Sequence, residues 1–206
     1  MRDRKSIADR VVQFGDAVRT RLSQVFSVIG IEYPSKRMTV IGFKAERMLE
    51  IWVAGPNSKW KYLKSYPILG MSGSLGPKLL EGDRQVPEGI YRIESLNPNS
   101  HYHLALRVNY PNQEDRRRGQ EDGRIELGTD IMIHGKSCSI GCLAMGDEAA
   151  EDLFVLAAEI GIGNISVILS PVDFKTRSLP VDMPAVPKWT SELYHSIKRA
   201  LEDLRK

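Results

Sequence analysis

The sequence has only two cysteines among its 206 residues, Cys138 and Cys142, which are too few for a disulfide framework. No apolar run approaches the roughly 18 residues of a membrane-spanning helix, so no membrane span is expected. The net charge is only +3, and the densest basic run, Arg116–Arg118, lies among four acidic residues in the polar stretch 109–123. We interpret that stretch as a solvated loop, and no nucleic-acid partner is indicated.

Apolar residues recur at intervals of three and four over 7–29, which predicts an amphipathic helix ending near Gly30. A β-branched, apolar pattern then predicts a hairpin from 38–43 and 47–55. Further strands are predicted at 61–69, 89–96, 101–110, 131–135 and 166–172. The stretch 70–89, with five glycines and two prolines, reads as a long loop of the kind that is often functional.

Residues 147–160 predict a helix that Asp147 can cap, with Leu153, Phe154, Leu156, Ala157 and Ile160 on its buried face. A proline-rich linker (178–187) leads to a last helix with an apolar side. The fold class is therefore α+β, a β-rich core with flanking N- and C-terminal helices. We divide the chain into an N-terminal helical extension (1–34), a catalytic core (35–177) and a linker with the C-terminal helix (178–206).

The segment 131–147 carries the candidate chemistry. His134 and Cys142 stand on a glycine- and serine-rich loop between a predicted strand and a predicted helix. An imidazolium and helix amides can lower the pKa of a thiol and favour its thiolate, the nucleophilic form. Backbone N–H groups near Gly141 and Cys142 could hold the oxyanion of a tetrahedral intermediate.

Two other interpretations stay open at this point. Both cysteines could be inert core residues, although the flanking glycines and serines disfavour a packed position. Alternatively, His134, Cys138 and Cys142, spaced by four, could be zinc ligands on one helix face. Gly135, Ser137, Ser139 and Gly141 make a helix there improbable.

Several motifs resemble the L,D-transpeptidase catalytic domain family, also called the YkuD or ErfK type. They are SYPILGMSGSLGPKLLEGDRQVPEGIYRI (65–93), PNSHYHLAL and NYPNQEDR (98–116) and IMIHGKSCSIGCLAMGD (131–147). The resemblance spans about 38–172 and looks closest to the branch of the periplasmic enzyme that releases lipoprotein from peptidoglycan.

The resemblance implies Cys142 as the nucleophile, His134 as its base and Gly141 as part of the oxyanion site. It implies that the cysteine is acylated by a meso-diaminopimelate carbonyl of a peptidoglycan stem peptide. An amine (cross-linking) or water (cleavage) then takes up the acyl group. We expect L,D-transpeptidase activity, with cleavage such as lipoprotein release as the alternative and a peptidoglycan-binding domain as the non-enzymatic one.

The sequence departs from the family pattern at Ile140, where a second histidine is usual, and at Ala144, where Arg or Asn is usual. The substrate carboxylate then lacks its usual arginine partner. Candidate substitutes are Arg84, Lys78 and Lys136. Cys138 could be a bystander, a redox partner of Cys142 or the nucleophile itself.

Further substrate-binding candidates are Gly135, Ser139, His101 and His103. The two histidines, expected to alternate along a strand, would face one side and could line the groove, while Tyr102 would point away. The partners expected are peptidoglycan stem peptides and peptidoglycan-attached lipoprotein, with no cofactor or metal.

Peptidoglycan as the substrate implies the periplasm or cell envelope, although residues 1–16 show no secretory signal. A cytoplasmic role on recycled stem peptides stays open.

Overall fold

The computed structural model describes residues 4–57, 59–182 and 184–206. Within these ranges the helices are α1 (Ile7–Ile29), α2 (Gln113–Glu121), α3 (Asp147–Ile160) and α4 (Thr190–Leu204). The strands are β1 (Arg37–Phe43), β2 (Met48–Ala54), β3 (Lys61–Pro67), β4 (Gly89–Ser100), β5 (His103–Val108), β6 (Met132–His134), β7 (Leu143–Ala144) and β8 (Ile165–Ser170). A single 3₁₀ turn, Ile162–Asn164, leads into β8.

The strands form one curled sheet in the order β3-β2-β1-β8-β4-β5-β6-β7. The pairs β1–β8 and β6–β7 are parallel and the other pairs are antiparallel. Leu69 and Gly70, just after β3, donate their amides to the carbonyl of Ala144 in β7 at 2.8 and 3.2 Å. Because β3 and β7 are the two edge strands, these bonds show that the sheet curls until the chain leaving one edge meets the other.

Helices cover both faces of the sheet. Alternate residues of a strand point to opposite faces, so Val40 faces the α1 and α3 layer while Ile41 faces α4. Each large apolar side chain that is fully buried contributes about 1.5–3 kcal/mol. The helical side chains that are buried in this way include Leu22, Phe26, Leu153, Phe154, Ile197 and Leu201.

A buried carboxylate joins α1 to α3. Asp152 of α3 has no solvent exposure, and its Oδ1 accepts from Arg21 Nε and Nη2 at 2.9 and 2.6 Å. Its Oδ2 accepts from the Tyr66 hydroxyl at 2.6 Å. Burial of a charge is tolerated when it is paired in this way, so Asp152 fixes the N-terminal helix against the core.

The predicted helices at 7–29 and 147–160, the C-terminal helix and the hairpin are confirmed. The role of Asp147 as a cap is wrong. Gly146 is the N-cap, and the Asp147 carboxylate instead accepts from the Lys136 amide and ammonium at 2.9 and 2.8 Å. No helix of the described residues is long and apolar enough to cross a membrane.

The prediction of a solvated loop over 109–123 is also wrong, because α2 lies there. A capping box between Asn112 and Asp115 begins the helix, and Arg117 pairs with acidic residues one turn away on either side. Arg118 is buried, with its guanidinium 4.7 Å from the ring of Trp189, just before α4. Such a helix carries no apolar stripe, so its periodicity gives no signal.

Candidate active site

The parallel pairing of β6 with β7 places the segment that follows Cys142 beside the strand that ends with His134. The register pairs Ile133 with Leu143 and His134 with Ala144. Cys142 directly precedes β7, and its Sγ is hydrogen-bonded to backbone groups of Met132 and Asp130 on the neighbouring segment. A strand spacing of about 4.8 Å and a rise of about 3.3 Å per residue give roughly 8 Å between the Cα atoms of His134 and Cys142.

The Cys142 thiol is half-buried and held in its protonated form. Its Sγ lies 3.4 Å from the carbonyl oxygen of Asp130, to which the thiol donates, and accepts from the Met132 amide at 3.3 Å. Burial raises the pKa of the Cys142 thiol, the Met132 N–H lowers it, the Asp130 charge raises it further and the Lys78 charge lowers it. The net result is a raised pKa, opposite to the expected lowering.

The imidazole of His134 is buried and hydrogen-bonded to the neighbouring backbone. Its Nδ1 donates to the carbonyl of Gly135 at 2.7 Å, so the neutral ring keeps Nε2 free of a proton. Burial lowers the pKa of His134, and the hydrogen bond to Gly135 only partly offsets this. The ring of Tyr102 packs against it with 4.7 Å between centroids. The raised pKa of the Cys142 thiol and the lowered pKa of the His134 imidazole both favour the neutral form of the group.

The second cysteine, Cys138, is exposed and free, and so is not a core residue. Residues 135–142 form no helix, so His134, Cys138 and Cys142 do not share the helix face that the zinc interpretation needs. Over the described ranges, no group of three His, Cys, Asp or Glu side chains is arranged to hold a metal ion.

Gly141 has φ +77°, a backbone conformation that favours glycine, and its N–H donates to the Ser72 hydroxyl at 2.8 Å. That hydroxyl in turn donates to the Arg84 carbonyl at 2.7 Å. Within the described part of the chain, no acceptor is bonded to the amide of Cys142. The free donor near the thiol is therefore the amide of Cys142, while that of Gly141 is already bonded.

The long loop 70–89, which carries Ser72, is anchored by a buried ion pair. Lys44 Nζ lies 2.9 Å from Glu88 Oε1 and donates to the carbonyls of Gly76 and Val86, each at 2.9 Å. The other carboxylate oxygen of Glu88 accepts from the Tyr194 hydroxyl of α4 at 2.7 Å. The middle and the second end of the loop are thus held by Lys44, which directly follows β1, and Glu88 ties that end to α4 as well.

Not all of the predicted substrate-binding residues lie free at the site. Lys78 is buried and paired with Asp83, although its charge acts on the Cys142 thiol. Gly135 is packed so closely that a Cβ would meet Asp147, Tyr102 and His103. That glycine therefore serves packing rather than substrate approach. Ser139 Oγ is buried and lacks a partner within the described ranges.

The expectation that His101 and His103 alternate along a strand is wrong. His101 lies in the turn before β5, and His103 begins β5 with φ +75°, which breaks the alternation. His103 Nε2 lies 3.0 Å from Glu151 of α3, and its ring packs edge-on against Phe14 of α1, away from the groove. Tyr102, expected to point away, contacts His134 instead.

A cavity of about 630 Å³ lies beside Tyr102 and Met132. Tyr102 and Met132, which contact His134 and Cys142 respectively, form part of its wall. The rest of the lining is Arg4, Asn97, Asn99, Ser100 and His101, with no carboxylate among these residues. His101 thus does lie beside the site, through a turn rather than a strand.

The raised pKa of the Cys142 thiol predicts a slow rate of alkylation at neutral pH. Because the thiolate is the form that is alkylated, iodoacetamide should modify Cys142 more slowly at pH 7 than it modifies an ordinary cysteine. The rate should rise as the pH passes the raised pKa. Peptide mass mapping of the folded Cys138→Ala variant measures this, with the same variant unfolded in urea as the control. Alkylation faster in the folded than in the unfolded chain at pH 7 would contradict the raised pKa.

The curled mixed sheet thus holds a half-buried thiol and a buried imidazole on neighbouring segments, at the start of β7 and the end of β6. Residues 39–168 match the sequence profile of the YkuD family, described as the L,D-transpeptidase catalytic domain. That match covers more than half of the chain. The chain belongs to the L,D-transpeptidase catalytic domain family.

Over 136 residues the chain is 37% identical to the Escherichia coli K12 protein named "Putative L,D-transpeptidase YafK", covering 65% of this chain and 52% of that protein. It thus spans about half the length of that relative. The structure of the helical cell shape determining protein Pgp2 from Campylobacter jejuni superposes with a TM-score of 0.53 and 22% identity. The match covers 73% of this chain and 55% of that one, and at this identity it shows the fold alone.

Proposed function

We propose that this protein transfers acyl groups on peptidoglycan stem peptides through a thioester on Cys142, with His134 as the base. His134 Nε2 takes the thiol proton while sulfur bonds to the carbonyl carbon of a diaminopimelate residue. Collapse of the tetrahedral intermediate breaks the C–N bond, and the proton passes from His134 to the departing amine. An acceptor amine then attacks the thioester and regenerates the thiol.

The observation that carries this proposal is the neutral thiol–imidazole pair. The hydrogen bond from Nδ1 to Gly135 leaves Nε2 as an acceptor, and burial keeps the ring unprotonated near neutral pH. The raised pKa of Cys142 makes a base necessary, because little thiolate is present without one.

For the substrate carboxylate we propose Arg84 as the cationic partner. Lys78 is paired with Asp83 and Lys136 with Asp147, so both of those charges are already compensated. Arg84 is exposed, and among the described residues it has no ion-pair partner. Its carbonyl is bonded to Ser72, which keeps it next to the loop of Cys142. Ala144, where the family usually has a polar residue, is fully buried in β7 and cannot take this role.

The cavity of about 630 Å³ supports a binding region for a peptide on the His134 side of the site. Its side chains are amides, hydroxyls, a histidine and an arginine, which suit the carboxylates and peptide groups of a stem. In this proposal His101 contacts substrate from that cavity, whereas the hydroxyl of Ser139 is buried and makes no direct contact with it. His103 and Gly135 have structural roles only.

Hydrolysis is the second candidate, because solvent has access to this loop. Ile140 is 71% exposed and Cys138 is exposed beside the nucleophile. Water that reaches the thioester would release the acyl group as a carboxylate, which cleaves a diaminopimelate amide bond. Release of lipoprotein attached to peptidoglycan would be one such reaction.

The proposal includes a role in cell-wall biogenesis at the cell envelope or periplasm, where the substrate lies, with cell shape as its consequence. In it, residues 35–177 form the catalytic domain. Residues 1–34 brace that domain through the Arg21–Asp152 pair, and 178–206 through the Tyr194–Glu88 bond.

Incubation with purified muropeptides and lipoprotein-bearing sacculi, followed by mass spectrometry, tests the proposal. New cross-linked products support transpeptidation, and shortened stems or freed lipoprotein support hydrolysis. Either product should disappear in Cys142→Ala and persist in Cys138→Ala. Binding to sacculi with no product from the unaltered protein would contradict the enzymatic proposal and favour a peptidoglycan-binding domain.

A further inference from the structure

The Ser72 hydroxyl joins two loops at the reactive cysteine. It accepts from the Gly141 amide at 2.8 Å and donates to the Arg84 carbonyl at 2.7 Å. Both hydrogen bonds have good distances, and together they use the hydroxyl as acceptor and donor at once. Ser72 is thus the only side chain among the described residues that hydrogen-bonds to the residue preceding Cys142.

This bond determines which amide is available to an oxyanion. The single proton of the Gly141 amide is used by Ser72, whereas the Cys142 amide has no acceptor within the described ranges. The peptide group that carries the Cys142 amide begins at Gly141, whose φ of +77° glycine adopts without a steric penalty. The Ser72 bond holds the preceding peptide group, between Ile140 and Gly141, so that the direction of the Cys142 N–H depends only on the two backbone torsions of Gly141.

The loop that carries Ser72 is itself held firmly enough to serve as a support. The next residues are fixed by the side chain of Gln85, whose Oε1 accepts from the Ser74 amide at 2.9 Å. Further along, the Gly76 amide donates to Glu88 at 2.8 Å, in the buried network with Lys44. The loop is thus hydrogen-bonded at Ser72, Ser74 and Gly76, between the buried Lys44–Glu88 pair and the residue before Cys142.

We propose that Ser72 is a positioning residue for acylation: it orients the Gly141 peptide so that the Cys142 amide points at the developing oxyanion. This inference rests on the proposed function, since only an acyl transfer develops an oxyanion. Donors aligned in advance stabilise such a charge strongly, and losing one in a related type of site costs about 10²–10³ in rate. Misorientation of a donor that is still present should cost about 10–100-fold.

The test compares two reactions of the same thiol. Acylation by a carbapenem opens the β-lactam amide and passes through a tetrahedral oxyanion, whereas alkylation by iodoacetamide is a displacement at carbon with no oxyanion. In Ser72→Ala we expect acylation of Cys142 to slow by about 10–100-fold and alkylation to stay within about twofold. Ser72→Thr keeps the hydroxyl and should restore acylation. Ser74→Ala, two residues along the same loop, should react like the unaltered protein. Intact-mass time courses report all four proteins.

Equal acylation rates in Ser72→Ala and the unaltered protein would overturn the inference and leave the proposed function intact. A matching fall of acylation and alkylation would also overturn it, because the loop would then only maintain the shape of the site. If the unaltered protein forms no acyl adduct at all, the proposed function fails and this inference fails with it.

Discussion

Replacing Lys44 with methionine should lower the free energy of unfolding by about 3–5 kcal/mol, the range for breaking a buried ion pair on one side. Lys44 is 3% exposed and Glu88 1% exposed, so the substitution would leave a carboxylate in the protein interior without its cation. Desolvation lowers the pKa of Lys44 and the charge of Glu88 opposes that shift, which shows how strongly the two groups depend on each other. Two loop carbonyls, of Gly76 and Val86, would also lose their donor.

Urea denaturation at pH 7 measures this loss. Lys36→Met, which removes an exposed lysine seven residues after Ile29, should change stability by less than about 0.5 kcal/mol. The double variant Lys44→Met/Glu88→Gln should recover part of the loss, because the uncompensated charge is gone while Tyr194 and Gly76 keep a partner. A loss below about 1 kcal/mol in Lys44→Met would show that the pair does not anchor the loop.

Replacing His134 with alanine should slow acylation of Cys142 by about 10²–10⁴-fold at pH 7, the usual contribution of a positioned base. The reason is that the raised pKa of Cys142 leaves little thiolate to react without a base. The direction in which the acylation rate of His134→Ala changes with pH follows from the raised pKa of Cys142. Thiolate is scarce below the raised pKa and accumulates above it, so the variant should regain rate as the pH rises.

Carbapenem acylation from pH 6 to pH 10 measures this effect, with His101→Ala as the matched control. His101 is exposed and lies in the turn beside the site, so its removal should leave the shape of the pH profile unchanged. An acylation rate in His134→Ala equal to that of the unaltered protein at pH 7 would exclude His134 as the base.

Much of the fold follows from the local pattern of the sequence. The helix ending at Gly30 and the hairpin of β1 and β2 have clear periodicity and end signals, and both are confirmed. Helix α2 could not be found in this way, since its stability comes from a capping box, ion pairs and the contact of Arg118 with Trp189. The contact of Arg118 with Trp189 joins residues about 70 positions apart, which no local window contains, whereas the capping box and the ion pairs are local and give no apolar periodicity.

The candidate site, like the fold, is predicted in part by local sequence and in part only by tertiary contacts. The sequence indicates a cysteine and a histidine on one segment, and the register of β6 and β7 shows how the chain folds back so that the two residues, eight apart, lie on neighbouring segments. The sequence gives no signal for the contact between the rings of Tyr102 and His134. Tyr102 was expected to point away because of strand alternation, and the positive φ of His103 breaks that alternation. The pKa of Cys142 was expected to fall, and its rise results from burial that only the tertiary structure determines.

The sequence gives only a weak indication that Ser72 belongs to the site. This serine stands in the glycine-rich loop 70–89, singled out as functional, but nothing in its spacing relates it to Gly141, 69 residues later. The buried pair of Lys44 and Glu88 is hidden for the same reason, since each looks like an ordinary surface charge in its local context.

The central claim is that Cys142 is the nucleophile, and covalent capture tests it most directly. A carbapenem should add its own mass to the protein, and peptide mapping should locate the adduct on Cys142. The adduct should form in Cys138→Ala and be absent in Cys142→Ala. An adduct that persists in Cys142→Ala and is lost in Cys138→Ala would contradict the account and assign the chemistry to Cys138.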